Sequence, residues 1–252
     1  MTSTVISKLD NGVRTLVLDR PERLNAINPQ LLEDFRNALA EGNADEDTKV
    51  MIITGAGRAF CAGDDLKEFD SQVGTESETR AYIESIQDIT REIVLGDKIV
   101  IGAIHGWAVG GGLEWLINCD LAILAEGTRC FFPEISLGVF VTGAVTTLLP
   151  KQVGLQKAKE LILFGEQFGA EQALEWGLAW KVVPESSLQN EAMQAARHIT
   201  NLPEHAVRDL KRVINRACHM DAENAMALET EATLRGFLDP DTAKRIEGFN
   251  KK

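Results

Sequence analysis

A glycine run followed by a glutamate is the most chemically suggestive stretch of this chain. Residues 110–114 read Gly-Gly-Gly-Leu-Glu, and they follow Ile99–Ile104, a β-branched, uncharged run that predicts a buried strand. Consecutive glycines between a strand and a helix leave backbone N–H groups open to a bound oxygen, because no Cβ atom covers them. Glu114 would lie in the first turn of that helix. The pattern therefore indicates an oxyanion pocket with an acid/base carboxyl group in reach.

The same stretch has a simpler interpretation. A strand-to-helix turn can be rich in glycine for close packing alone, and a glutamate in the first helical turn can do no more than complement the helix dipole. Single glycine-rich motifs also match many unrelated proteins. The choice between the two interpretations therefore depends on the rest of the chain.

Composition restricts the class of protein. The chain has 252 residues, of which 44% are hydrophobic and 25% charged, as in an ordinary globular protein with a substantial core. No apolar run approaches the ~18 residues that a membrane span needs, and no secretory signal is visible, so we expect a cytoplasmic protein without a membrane partner. A net charge of −12 argues against a nucleic-acid partner.

Cysteine usage argues against metal and disulfide chemistry. The four cysteines, Cys61, Cys119, Cys130 and Cys218, form no CxxC pair and have no histidine cluster beside them. We therefore expect reduced thiols and no metal site. A nucleophilic Cys61 is the alternative, because this residue borders a second glycine turn.

Short apolar strands alternate with amphipathic helices along most of the chain. Strands are predicted at residues 13–18, 49–54, 99–104, 120–125, 130–132 and 179–183, and helices at 29–42 and 82–93. This alternation is typical of an α/β fold with parallel strands. The segment from Phe69 to Arg80 is polar and predicts a mobile surface loop. Helical patterns dominate after Leu155, and a change of composition suggests a core domain at 1–195 and a helical region at 196–252.

Five segments stand in the order that is seen in the crotonase superfamily, and the chain resembles its enoyl-CoA hydratase/isomerase branch over nearly its whole length. The segments are Arg20–Ala26, Phe60–Lys67, Gly110–Glu114, Cys119-Asp120 and Phe132–Gly138. The resemblance implies a spiral of ββα repeats with a C-terminal helical region that packs trimers. It also implies a homotrimer or a dimer of trimers.

The resemblance implies an acyl-CoA thioester substrate and no separate cofactor, because coenzyme A enters as part of the substrate. The backbone N–H groups of Asp64 and Gly111 would hold the thioester oxygen, and Glu114 and Glu134 would flank the Cα–Cβ bond. We expect Glu134 to activate water, and Glu114 to hold that water and manage the proton at Cα.

The chain departs from the family pattern at two places near this bond. Asp64 stands where a small neutral residue is commoner, and a carboxylate near a developing enolate is unfavourable unless it points away. Thr142 replaces a glycine, and together with Trp115 and Phe140 it is expected to shape the acyl pocket. At the nucleotide end, the resemblance implies that Ala62-Gly63 lies against the adenine, with Arg58 and Lys67 near the phosphates.

A CoA-thioester hydratase is therefore the first functional hypothesis. A double-bond isomerase is the alternative within catalysis, followed by a hydrolase or a retro-aldol lyase. Outside catalysis, the chain could be a non-catalytic or RNA-binding relative. The acidic composition and the presence of both glutamates argue against that last class.

Overall fold

The computed structural model describes residues 3–68 and 74–249 and contains two β-sheets surrounded by helices. The strands are β1 (Val5–Asp10), β2 (Val13–Leu18), β3 (Val50–Gly55), β4 (Ile99–Ile104), β5 (Trp107–Val109), β6 (Leu121–Ala125), β7 (Arg129–Phe131), β8 (Phe168–Gly169) and β9 (Lys181–Val183). The helices are α1 (Pro29–Ala44), α2 (Glu76–Val94), α3 (Gly111–Asn118), α4 (Glu134–Leu137), α5 (Val145–Val153), α6 (Leu155–Phe164), α7 (Ala170–Glu175), α8 (Leu188–Thr200), α9 (Glu204–Ala217), α10 (Ala222–Leu238) and α11 (Pro240–Phe249). The α/β fold class predicted from the sequence is confirmed.

The larger sheet has the strand order β1-β2-β3-β4-β6-β9. Strands β1 and β2 form an antiparallel hairpin, and the later pairs are parallel. The hairpin turn needs positive φ at both central residues, and Asn11 (φ 49°) and Gly12 (φ 83°) supply it. The parallel strands β3 and β4 are buried along almost their whole length, which explains their continuous apolar sequences.

A smaller sheet has the strand order β5-β7-β8. Its strands alternate along the chain with strands of the larger sheet, which gives the fold a repeating pattern. Strand β4 belongs to the larger sheet, β5 to the smaller, and α3 follows; β6, β7 and α4 repeat that sequence of elements. Isolated bridges at Ile27–Asp64 and Cys61–Ala108 continue the smaller sheet toward the N-terminus. Residues 99–137 thus form two successive ββα units, as the resemblance implies.

Helix boundaries follow capping signals in the sequence. Asn28 caps α1 by accepting a hydrogen bond from Leu31 N (2.9 Å). Thr75 and Glu78 form a capping box, in which Glu78 accepts from Thr75 N at 2.8 Å, so α2 begins at Glu76. The surface loop expected for 69–80 is therefore wrong from residue 76 onward. Residues 69–73 of that expectation lie outside the described residues.

Two apolar clusters lie on opposite faces of the larger sheet. Helices α1, α2 and α3 contribute to one cluster, and α8 contributes Leu188, Ala192 and Ala196 to the other. Helix α9 is tied down by a buried charge: Lys211 Nζ donates to the carbonyl oxygen of Ile93 (2.6 Å) and lies 2.9 Å from Asp120 Oδ2. Burial raises the pKa of Asp120, and the ammonium group of Lys211 opposes that rise.

The last helices are less enclosed than the rest. No residue of α10 is buried, and Met226, Leu234, Phe237 and Leu238 expose large apolar surfaces. The division after residue 195 stays a prediction; that residue lies within α8. Among the described residues, no helix is long and apolar enough to cross a membrane.

Candidate active site

Glu114 lies in the first turn of α3, where the glycine run places it. Gly110 has φ 51° and accepts the hydrogen bond of Glu114 N at 2.9 Å, which starts the helix directly after β5. The side chain is 1% exposed. Thr142 donates twice to its carboxylate, from its backbone N to Oε1 at 2.7 Å and from Oγ1 to Oε2 at 2.6 Å. Thr142 therefore fixes the orientation of this carboxyl group.

The loop that carries Thr142 is itself held in place by buried polar groups. Gly143 O accepts a hydrogen bond from Asn118 Nδ2 at 2.7 Å, and Asn118 Oδ1 accepts one from Thr90 Oγ1 at 2.8 Å. Gly143 has φ 59°, and a Cβ atom there would lie 2.8 Å from Glu114 Cβ. Only glycine fits this close approach, and the chain of contacts links α2, α3 and the loop.

Glu134 reaches the same place from the other side. It opens α4 after β7, and it is 7% exposed, so it is not a solvent-facing turn residue. Its Oε1 would lie 2.6 Å from a Cβ atom at Gly110, the residue that starts the helix of Glu114. Within the described part of the chain, Glu134 Oε2 is buried and has no hydrogen-bond partner. One carboxylate oxygen is therefore free to bind a reacting group.

Both carboxyl groups titrate near neutral pH. Burial raises the pKa of Glu114 to about 7, against the opposing hydrogen bonds from Thr142. Burial also raises the pKa of Glu134 to about 7, and the nearby carboxylates of Glu114 and Asp64 add to that rise. With both pKa values raised to about 7, one carboxyl group can be ionised while the other is protonated near that pH. Such a pair can supply a base and an acid together.

The segments that carry Asp64 and Gly111 pack closely together, since a Cβ atom at Gly63 would lie 2.9 Å from Val109 O. Ile27 N donates to Gly63 O, and Asp65 N donates to Ile27 O, both at 2.8 Å. In this parallel bridge the N–H of Asp64 faces away from Ile27, toward the side where Val109 approaches Gly63. Gly111 is the first residue of α3, a position whose N–H has no acceptor within its helix. Two backbone donors on neighbouring segments are the kind of arrangement that an oxyanion needs.

The side chain of Asp64 acts on the charge of both candidate catalytic groups. Its carboxylate adds to the rise in the pKa of Glu114 and of Glu134. Tyr82, from α2, donates its hydroxyl to Asp64 Oδ1 at 3.0 Å. Sequence reasoning missed Tyr82 because it fitted the apolar pattern of a helix; the one available signal was that it is the only tyrosine in the chain.

The other residues singled out from the sequence lie in different surroundings. Trp115 is fully buried, and its ring packs edge-on against Phe35 with centroids 5.0 Å apart, so its assignment to the acyl pocket is wrong. It follows Glu114 in the helix, and neighbours in a helix point about 100° apart. Phe140 is 69% exposed. Arg58 and Lys67 are exposed on the segment that carries Asp64.

The glycine turn before Asp64 is tightly built. Ala62 N donates to Leu24 O at 3.1 Å, and Gly63 is buried with φ 82°.

Burial raises the pKa of the Cys61 thiol to about 12, which disfavours a thiolate nucleophile there. No cluster of three metal-ligating side chains occurs in the ranges 3–68 and 74–249.

Comparison with known proteins gives one consistent result. The family model described as enoyl-CoA hydratase/isomerase matches residues 8–251. A 1,2-epoxyphenylacetyl-CoA isomerase of Escherichia coli is 33% identical and a short-chain-enoyl-CoA hydratase of Clostridium acetobutylicum 32% identical, and each match covers at least 99% of this chain and 95% of the relative. The crystal structure of an enoyl-CoA hydratase from Bacillus anthracis superposes with a TM-score of 0.93 at 31% identity, covering 98% of this chain and 96% of that one.

Proposed function

Since the chain belongs to the enoyl-CoA hydratase/isomerase family, we propose that it adds water across the Cα=Cβ bond of a 2-enoyl-CoA thioester. The observation that carries this proposal is that Glu134 Oε1 packs against Gly110, whose carbonyl oxygen accepts the hydrogen bond of Glu114 N, and that burial raises the pKa of both carboxyl groups to about 7. Hydration needs one group to take a proton from water and another to give a proton to carbon. A singly protonated carboxyl pair meets both needs.

The mechanism assigns a separate task to each group. The N–H groups of Asp64 and Gly111 bind the thioester oxygen, which stabilises negative charge as an enolate forms. Glu134, ionised and with Oε2 free, takes a proton from water while the hydroxyl oxygen bonds to Cβ. Glu114, protonated, gives its proton to Cα as the enolate collapses. One proton has then passed from water to Glu134 and another from Glu114 to Cα, and exchange with solvent restores the pair.

A double-bond isomerase is the second candidate. Thr142 occupies both oxygens of Glu114 with hydrogen bonds, while Glu134 keeps one oxygen free. A single carboxyl group with one free oxygen suits the transfer of a proton between two carbons without water. The relative from Escherichia coli is also named as an isomerase.

Reaction in water enriched in heavy oxygen separates the two candidates. The purified protein is given crotonyl-CoA and, separately, but-3-enoyl-CoA, and products are identified by mass. We expect crotonyl-CoA to yield 3-hydroxybutyryl-CoA that carries the heavy oxygen. Conversion of but-3-enoyl-CoA to crotonyl-CoA, with no heavy oxygen in the products of either substrate, would contradict hydration and support the isomerase.

We also propose that the coenzyme A portion binds along the segment of Arg58, Ala62, Gly63 and Lys67, with Phe140 on the acyl side. The support is that Arg58 and Lys67 offer exposed positive charge on the segment that contains Asp64, a proposed oxyanion donor. A crotonyl thioester without the nucleotide should therefore show a lower kcat/KM, because remote binding energy orients the reacting bond. Equal kcat/KM values would contradict this assignment.

Oligomerisation is the last part of the proposal. We propose a homotrimer or a dimer of trimers, supported by the unburied α10 and its exposed apolar side chains. Light scattering should give three or six times the 27.6 kDa of one chain. A mass of one chain would contradict the proposal.

A further inference from the structure

Asp64 and Tyr82 form a polar pair beside the reacting carboxyl groups that the proposed hydration does not use. Tyr82 donates to Asp64 Oδ1 at 3.0 Å. Within the described ranges, Asp64 Oδ2 accepts no hydrogen bond. Burial and the Asp64 carboxylate raise the pKa of the Tyr82 phenol, so it stays a donor at ordinary pH. The pair therefore presents one oriented carboxylate oxygen.

The position of Asp64 determines which part of a bound thioester its carboxylate can contact. Asp64 pairs with Ile27 in an isolated bridge, and Ile27 Cδ1 would lie 2.6 Å from a Cβ atom at Gly111, so Asp64 lies beside the start of the helix that carries Glu114. The backbone of Asp64 supplies a proposed donor to the thioester oxygen, so a thioester held there places its acyl carbons next to Asp64. Although the residue is exposed, surrounding protein removes enough water to raise its pKa, against the hydrogen bond from Tyr82.

The free energy of binding beside this carboxylate depends on the chemistry of the acyl group. An unsubstituted hydrocarbon chain would cover it without offering a hydrogen bond, which costs free energy. An acyl group that ends in a second carboxylate would be repelled, because three carboxyl groups already lie together there. A hydroxyl group on the acyl chain would donate to Oδ2 without adding charge.

We propose that Asp64 and Tyr82 form a recognition site for a hydroxyl group on the acyl chain, so that the protein prefers hydroxy-substituted acyl-CoA thioesters. This inference rests on the proposed function only for the ligand class, an acyl-CoA thioester. It concerns selection of the acyl group, and it holds whichever reaction the glutamates catalyse.

Binding of two saturated thioesters tests this inference without any chemical step. The dissociation constants of butyryl-CoA and 4-hydroxybutyryl-CoA are measured by calorimetry on the full chain. We expect wild type to bind the hydroxylated compound about 10-fold more tightly, as for one hydrogen bond to a charged group. We expect that ratio to fall toward one in Asp64→Ala and Asp64→Asn, and to fall partly in Tyr82→Phe.

Asp47→Asn is the matched control, because Asp47 is an exposed aspartate outside the site, and it should keep the wild-type ratio. Equal dissociation constants in wild type, or a ratio that Asp64→Ala leaves unchanged, would overturn the inference. Circular dichroism checks that each variant is folded. A preserved preference for 4-hydroxybutyryl-CoA in a protein that does not hydrate crotonyl-CoA would count against the proposed hydration alone.

Discussion

Removing the hydroxyl of Thr142 should change the pH dependence of hydration in a defined direction. Thr142→Val keeps the shape of the side chain and the backbone bond to Glu114 Oε1, but it removes the 2.6 Å hydrogen bond to Oε2. A hydrogen bond to a charged group is worth roughly 1.5–3 kcal/mol, and one pKa unit corresponds to about 1.4 kcal/mol. We therefore expect the pKa of Glu114 to rise by about one to two units.

The direction of the change depends on the role of Glu114. As the proton donor to Cα, Glu114 is active when protonated, so the loss of activity at high pH should move upward by about one to two units. At pH 9, kcat/KM relative to its maximum should then exceed that of wild type by roughly 10- to 50-fold.

The assay is the rate of crotonyl-CoA hydration from pH 5 to 10. Thr146→Val, on the exposed side of α5, makes the same chemical change outside the site and should leave the profile unaltered. An unmoved alkaline limb would refute the claim that Thr142 sets the proton affinity of Glu114. An upward movement of the acid limb instead would show that Glu114 acts as the base.

Three further substitutions have expected outcomes of different kinds. Gly110→Ala should lower kcat/KM by about 10² because its Cβ would displace Glu134, whereas Gly138→Ala, also at positive φ but with no atom within 4 Å, should cost less than about 10-fold. Glu114→Gln should be more stable than wild type by roughly 3 kcal/mol at pH 8 and nearly equal to it near pH 4.5, measured by urea unfolding. The reason is that a pKa of about 7 in the folded state, above the ordinary 4.5, makes wild type lose stability as pH rises between those values. Lys211→Met should lower the free energy of unfolding by about 3–5 kcal/mol, because it leaves a buried carboxylate unpaired; a loss below 1 kcal/mol would contradict this account.

Local sequence signals were sufficient for much of the secondary structure. The helix at Pro29 and the strand at Ile99 follow from capping and apolar patterns that act within a few residues. The start of α2 was also present in the sequence, as the Thr75–Glu78 capping box, although the polar composition suggested a loop. The pairing of β4 with β6, by contrast, joins segments about 20 residues apart, and no local pattern specifies it.

The residues of the candidate site also differ in whether local sequence could identify them. Glu114 could be found from its glycine run, because the chemistry lies in consecutive residues. Glu134 could be found only through the resemblance, since it is brought to Gly110 by the packing of a separate ββα unit. The contacts of Thr142 and Tyr82 depend on how distant segments approach each other, so their roles were visible only in the structure.

The claim that a carboxyl pair performs hydration is tested most directly by one substitution. The rate at which Glu134→Gln incorporates heavy oxygen from water into 3-hydroxybutyryl-CoA is compared with that of wild type, with folding verified by circular dichroism. The account predicts a rate lower by about 10²–10⁴-fold, the range for a general acid–base group. A rate within about threefold of wild type would contradict it.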